Sequence, residues 1–240
     1  MTPRRGTRTF KRRLRGATLA EFAVVGPLAF LLILAIVQLG FMFMARSTLN
    51  QATFMAAREG ALRNADPAVI RSALVKGLIP FYQDTTQGND VMRLSTAWLA
   101  AQGDLLVPTR LKIDILNPTP GSFKDWGVSD PSNGNRRYIP NDNLQFRPVS
   151  VGTHSKQTLM DANLLRIRVT YAYELKVPLI SYVYKRVMCG GLGDGVNAFG
   201  GDTTLLDAAG PISNCIYYQQ GRTPIVAYAT VRMQTPAIEQ

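Results

Sequence analysis

An apolar run extends from Phe22 to Ala45 in this 240-residue chain. These 24 residues carry no charge, and Gln38 is the interruption in their apolar character. As a helix, the run is about 36 Å long at ~1.5 Å per residue, which exceeds the ~30 Å hydrocarbon layer of a bilayer. A secretory signal has a shorter apolar region followed by a small-residue cleavage site, and neither is present. The pattern therefore predicts a membrane-spanning helix that stays with the protein.

A helical apolar stripe continues beyond this span, so one helix of about 70 Å is predicted from Ala17 to Arg63. Asp66 suits the N-cap of a second helix, with Pro67 at its first position. This helix is predicted to end between Gly77 and Pro80. Its buried face is predicted to consist of Val69, Ile70, Ala73, Leu74 and Leu78.

Beyond the helices the apolar period changes to two. Apolar and polar residues alternate over Leu111–Ile115, Leu165–Val177 and Ile225–Gln234, which predicts three strands, each with one buried face. A fourth strand is predicted, from a weaker pattern, over Val91–Ala97. Such alternation is typical of an antiparallel sheet with one solvated face, and the N-terminal helices would cover the other face. We therefore predict an α+β fold, with an extracytoplasmic domain over residues 65–240 that is long enough for one core.

Charge predicts the orientation of the span. Seven cations and no acid precede it, namely Arg4, Arg5, Arg8, Lys11, Arg12, Arg13 and Arg15. Because Lys and Arg are enriched on the cytoplasmic side, we expect the N-terminus inside and residues 46–240 outside. These cations also account for most of the net charge of +11, since the remaining 20 basic and 16 acidic residues leave +4. A nucleic-acid-binding arm is the alternative, but its tether to a membrane span disfavours it, and no nucleic-acid partner is expected.

Glu21 stands where the apolar run begins, and an acid there has a desolvation cost. Its simplest role is a helix-start acid that the helix dipole stabilises at the headgroup level. A second interpretation comes from the spacing, because Gly16 lies five residues earlier and directly follows the basic run.

In this context the segment GATLAEF, from Gly16 to Phe22, resembles the processing site of type IV prepilins. Those proteins are cut after the Gly and carry Glu at the fifth position of the mature chain. The Glu-Phe pair is similar to the Flp or Tad branch of tight-adherence pili, and AAREGALR at Ala56–Arg63 resembles the TadE-like minor pilins. The C-terminal strands resemble this family more weakly. Many pilins have a methylatable Phe after the cut, where this chain has Ala17.

The resemblance implies cleavage between Gly16 and Ala17 by a prepilin peptidase and a pilin-like fold. It also implies a location in the bacterial inner membrane with a periplasmic domain. The implied partners are the peptidase, other pilin subunits that bind through the N-terminal helix, and the inner-membrane assembly platform.

A physical reason for such processing can be given from the charges. Cleavage after Gly16 would remove the seven cations that hold the N-terminus in the cytoplasm, and would create an ammonium group on Ala17. Glu21 of one subunit could pair with that ammonium on a neighbour, which would offset the cost of a buried acid. Glu21 and Phe22 are therefore the predicted assembly and register residues.

A kink is predicted within the span at Gly26 and Pro27. Proline lacks an amide donor, and its ring clashes with the carbonyl of Ala23. The kink could ease transfer from bilayer to filament, or it could be the ordinary tolerance of proline in membrane helices.

Two long segments resist assignment. Residues 117–157 contain five Pro and four Gly with dispersed aromatics at Trp126, Tyr138 and Phe146, and residues 189–224 contain eight Gly. Each is either a partner-binding surface or a mobile loop.

Cys189 and Cys215 flank much of the second segment, and we predict a disulfide between them worth ~3.5 kcal/mol in chain entropy. Free thiols or metal ligands are the alternative.

Signals of catalysis are weak. The one histidine, His154, lies in a polar loop without a nucleophile motif, and Asp194, Asn197 and Asp202 do not match a calcium-loop spacing. We predict no catalytic residue, no metal, no cofactor and no small-molecule substrate. The leading hypothesis is a non-enzymatic minor pilin or pseudopilin; an uncut single-pass scaffold and a membrane-tethered enzyme with a site in the long loops remain as alternatives.

Overall fold

The computed structural model describes residues 17–84, 86, 88–131, 134–147, 149–189 and 217–240, with the backbone alone at 17–20, 178 and 185–189. Its long N-terminal helix, further helices and antiparallel sheets confirm the predicted α+β class.

Helix α1 extends from Ala17 to Leu62, and helix α2 covers Pro67–Tyr82. The Asp66 carboxylate caps α2 as predicted, by accepting a hydrogen bond from the Ala68 amide at 2.8 Å. The helix does not end at Gly77–Pro80, however, but continues to Tyr82. Leu78 is fully buried and the Phe81 ring stacks on Tyr171 with centroids 5.3 Å apart, so packing outweighs the low helix propensity of this segment.

The strand predicted at Val91–Ala97 is wrong, because these residues belong to helix α3, Asp90–Leu105. Asn89 caps this helix by accepting from the Val91 amide at 3.1 Å. Its buried residues are Ala97, Ala101 and Asp104, at helical spacing. Asp104 accepts a hydrogen bond from the Tyr82 hydroxyl at 2.8 Å and forms an ion pair with Arg110 at 2.8 Å, which joins α3 to α2 and to the start of the sheet.

The main sheet consists of β1, Leu111–Asn117, β4, Leu164–Glu174, and β5, Arg222–Arg232, in the order β1-β4-β5 with antiparallel neighbours. Strands β4 and β5 pair from Leu164 opposite Arg232 to Glu174 opposite Arg222. The predicted alternation is confirmed along β4, whose buried residues include Leu165, Ile167, Val169, Tyr171 and Tyr173.

The C-terminal half of α1 packs against α2 and against the buried face of this sheet, and it carries several small residues there. This small-residue seam consists of Ala45, Ala52, Ala56, Ala57 and Ala61, all buried. Close approach continues at two glycines: a Cβ on Gly60 would lie 2.6 Å from Ile70 Cγ1, and one on Gly77 would lie 2.7 Å from Ala52 Cβ. The small residues of AAREGALR therefore let α1 lie close to α2 and the sheet.

Residues 117–157, which the sequence left unassigned, contain helix α4, Pro120–Trp126, strands β2, Val128–Asp130, and β3, Arg136–Ile139, and a short 3-10 helix, Leu144–Phe146. A one-turn helix α5, Leu159–Ala162, leads into β4. Strand β6, Ala237–Ile238, completes a second antiparallel sheet in the order β2-β3-β6. The remaining helix, α6, covers Pro178–Cys189.

Asp125, at the end of α4, holds the following loop in place. Its carboxylate accepts hydrogen bonds from the Ser155 amide at 2.7 Å, the Ser155 hydroxyl at 2.7 Å and the His154 amide at 3.0 Å. Burial raises the pKa of Asp125, but these bonds favour the charged form more strongly and hold its pKa well below the ordinary value. Trp126 also uses its indole N–H internally, on the Gln157 carbonyl at 3.3 Å, whereas Phe146 is exposed.

Several predictions concern residues outside this description. Cys189 is described by its backbone alone, and Cys215 and the acidic positions Asp194 and Asp202, with Asn197, lie outside the described residues. The Cys189–Cys215 disulfide therefore stays a prediction.

We expect Gly77→Ala to destabilise the domain, because its new methyl group would meet the backbone of Ala52 at 2.8 Å. Overpacking of this kind costs about 1–3 kcal/mol. Gly103→Ala in α3 is the matched control, since nothing lies within 4 Å of its Cβ position, and it should gain about 0.5–1 kcal/mol of helix propensity. Thermal unfolding of the two variants in detergent measures both effects, and equal melting temperatures would contradict the close packing of α1 on α2.

Candidate functional site

The N-terminal half of α1 projects beyond the folded domain. Within α1, Glu21–Leu62 contains a segment long and apolar enough to cross a membrane, and almost none of that segment is buried in the domain. Large apolar side chains with 57–76% of their surface exposed surround this part of the helix: Phe22, Val24, Val25, Leu28, Phe30, Leu32, Ile33 and Ile36. A surface of this kind on all sides of a helix requires lipid or other apolar helices around it.

Glu21 lies near the tip of this projecting helix, and both it and Phe22 are exposed. The backbone is helical from Ala17, so Glu21 lies one turn after the predicted new N-terminus. The side chains of residues 17–20 are outside the description, as is Gly16. The structure therefore brings Glu21 and Phe22 together on the projecting end, while the cleavage site itself stays a prediction.

Helix α1 continues through Gly26 and Pro27 without an interruption. A Cβ on Gly26 would contact the Phe22 ring at 3.5 Å, which is an ordinary van der Waals distance. The helix is thus unbroken at this point, and the kink at Gly26 and Pro27 stays a prediction.

Gln38 is the residue where the projecting half of α1 meets the domain. It is 2% exposed, although it stands in the middle of the apolar run. Its Oε1 accepts a hydrogen bond from the Val177 amide at 2.9 Å, and its Nε2 has no partner among the described residues. In the sequence, Gln38 stands out as an isolated polar residue among apolar ones. That isolation is the local sign of its contact with the domain.

The other end of α1 is bound to the C-terminus of the chain. The Ala61 carbonyl accepts hydrogen bonds from the amides of Gln234 at 3.0 Å and Thr235 at 3.2 Å. Asn64 donates its side-chain amide to the Pro236 carbonyl at 2.7 Å. From Gln38 to Ala61 the helix rises about 35 Å, which matches the length of the 11-residue strands β4 and β5 beneath it. The domain therefore lies along α1, from Gln38 to the end of the helix.

His154 has a structural partner in this arrangement. Its Nδ1 lies 2.7 Å from Asp125 Oδ1, while the neighbouring Ser155 hydroxyl donates to Asp125 Oδ2 at 2.7 Å and not to the imidazole. The three side chains thus hold a loop together, and this geometry does not pair a serine nucleophile with a histidine base.

A comparison with protein families finds a match over the N-terminal part of the chain. The family model described as TadE-like protein matches residues 16–58, which cover the predicted processing site, the projecting helix and most of the small-residue seam. The predicted resemblance is therefore confirmed over that segment, and it indicates a protein associated with Tad pili. No curated protein and no solved structure matches the chain.

We expect Gln38→Met to loosen the domain from α1, because the half-buried Val177 amide would lose its acceptor. An unsatisfied buried donor costs about 1–3 kcal/mol. Faster hydrogen exchange at the Val177 amide and a lower melting temperature in detergent would measure the loss. Gln51→Met is the control, since Gln51 is exposed on the same helix; if the two variants exchange alike at Val177, the role of Gln38 is refuted.

Proposed function

We propose that this chain is a non-enzymatic minor pilin or pseudopilin that takes part in the assembly of a Tad-type pilus or a related secretion filament. It would be inserted in the inner membrane with residues 46–240 in the periplasm and cleaved by a prepilin peptidase between Gly16 and Ala17. The observation that supports this most strongly is the projecting half of α1, with exposed apolar side chains around it and Glu21 near its tip.

Two properties make this helix suited to both bilayer and filament. On transfer from bilayer to filament, its apolar surface exchanges contact with lipid for contact with the same helix of neighbouring subunits. This costs little hydration free energy, since neither environment exposes the surface to water. Its acid can gain a partner on transfer, because cleavage creates an ammonium group on the Ala17 of each neighbour. In this proposal Glu21 sets the axial register of the subunit, and Phe22 packs beside it.

An unprocessed single-pass scaffold is the alternative, because the span and the domain suit it equally well. The two functions differ at the bond between Gly16 and Ala17. In cells that contain the cognate peptidase, we expect the protein to begin at Ala17 by intact mass and N-terminal sequencing. Gly16→Leu should accumulate as precursor, because glycine leaves room for the peptidase close to the scissile bond. Persistence of residues 1–16 in the unmodified protein would support the scaffold instead.

Glu21→Ala tests the register role separately from processing. We expect cleavage to proceed, because Glu21 lies beyond the bond, while incorporation into the assembled filament falls about fivefold or more, as the loss of about 1 kcal/mol implies. Copurification with the pilus machinery measures incorporation. Glu59→Ala is the matched control, since Glu59 lies on the same helix and its 3.8 Å ion pair with Arg63 is exposed. Unchanged copurification of Glu21→Ala would refute the register role.

A further inference from the structure

Helix α6 starts beside the apolar run of α1. Strand β4 ends at Glu174, the Leu175 amide then bonds the Gly221 carbonyl at 3.0 Å, and Val177 bonds Gln38 two residues later. The Ser181 amide donates to the Val177 carbonyl at 3.0 Å, which begins the helix. Gln38 lies seven residues before the end of the apolar run at Ala45. Helix α6 therefore begins beside residues that the sequence predicts to span the membrane.

The two faces of α6 differ in what covers them. Tyr184 is half-buried, and its ring packs edge-on against Tyr218 with centroids 5.5 Å apart. Burial and the nearby Tyr184 raise the pKa of Tyr218 to about 12, which agrees with a closed environment on this side. Leu179, Tyr182 and Val183 lie on the open face, at i, i+3 and i+4, with 43–68% of their surface exposed.

The length of the span sets where the bilayer ends. A hydrocarbon layer of ~30 Å takes about 20 residues of helix, so a span that begins at Phe22 reaches the outer boundary of that layer near Phe41. Gln38 then lies about 5 Å inside that boundary, where the domain buries it, and the exposed Phe43 and Met44 lie about 3–5 Å beyond it. The start of α6 beside Gln38 therefore lies near the outer boundary of the bilayer, where interfacial helices are found about 5–10 Å into the boundary between headgroups and acyl chains.

We propose that α6 is an interfacial membrane helix whose face of Leu179, Tyr182 and Val183 rests on the outer leaflet of the bilayer. Lipid is the occupant that continuity favours, because the same helix that crosses the bilayer holds the start of α6 at the bilayer surface through Gln38 and Val177. An apolar face with a tyrosine is the composition that this interface accepts. The inference rests on the membrane location given under Proposed function.

Photo-crosslinking of the full chain in lipid nanodiscs of phosphatidylethanolamine and phosphatidylglycerol tests this placement. The photoreactive residue p-benzoylphenylalanine replaces Tyr182 in one variant, Phe30 in a second and Tyr228 in a third. Phe30 lies in the middle of the span and reports insertion. Tyr228 lies on the open face of the main sheet, about 20 Å along β5 from Arg222, and reports a water-exposed tyrosine of the same domain.

We expect lipid adducts at positions 30 and 182, with about fivefold or more adduct at 182 than at 228, since an interfacial side chain stays in contact with acyl chains. Lipid adducts at 30 without an excess at 182 would overturn the inference while leaving the membrane location intact. Adducts from 182 to protein would overturn it too, and would assign this face to a second copy. No lipid adduct at 30 would defeat the membrane location itself, and the inference with it.

Discussion

The close contact of the C-terminal half of α1 with helix α2 and the main sheet is the interaction on which the rest of the structure depends. A helix that carries large side chains all round cannot lie flat on a sheet at short distance, whereas alanines and glycines at the contact let the backbones approach. Ala52 and Gly77, and likewise Gly60 and Ile70, meet at distances that leave no room for one more carbon. Toward the N-terminus the seam ends near Ala45 and Gln38 is the last buried residue among those described, so the helix projects beyond its own domain before Gln38.

One continuous helix thus serves two environments with opposite requirements. Its first half needs an apolar medium, and its second half provides part of the core of the folded domain. Gln38 separates them, since it is buried and bonded to the domain while its neighbours Val37 and Leu39 are exposed. The match to TadE-like proteins extends over both halves, up to residue 58, which fits a helix whose two functions are kept together in one segment.

Much of the fold and of the candidate site could be predicted, because the sequence patterns that indicate them are local. The apolar run, the leader pattern and the alternation along β4 each lie within a few neighbouring residues. The strand predicted at Val91–Ala97 failed because the buried face of α3 is made from Ala97, Ala101 and the paired Asp104, which give little apolar contrast. The role of Gln38 could not be predicted from local pattern, because its partner Val177 lies 139 residues away. The loop held by Asp125 was missed for the same reason, since its bonds join positions about 30 residues apart.

The hydrogen bonds of Ala61 and Asn64 to the C-terminal segment determine where the second sheet lies relative to α1. They hold residues 234–238 at the end of α1 opposite Gln38, and β6 there pairs with β3. The second sheet, with Arg136 and Arg137 exposed, therefore lies at the end of the domain opposite Gln38, about 35 Å away along the helix. When lipid or the helices of neighbouring subunits surround the projecting half of α1, the end with the second sheet is the part of the subunit farthest from them. A peptide fused after Gln240 would be displayed at that end.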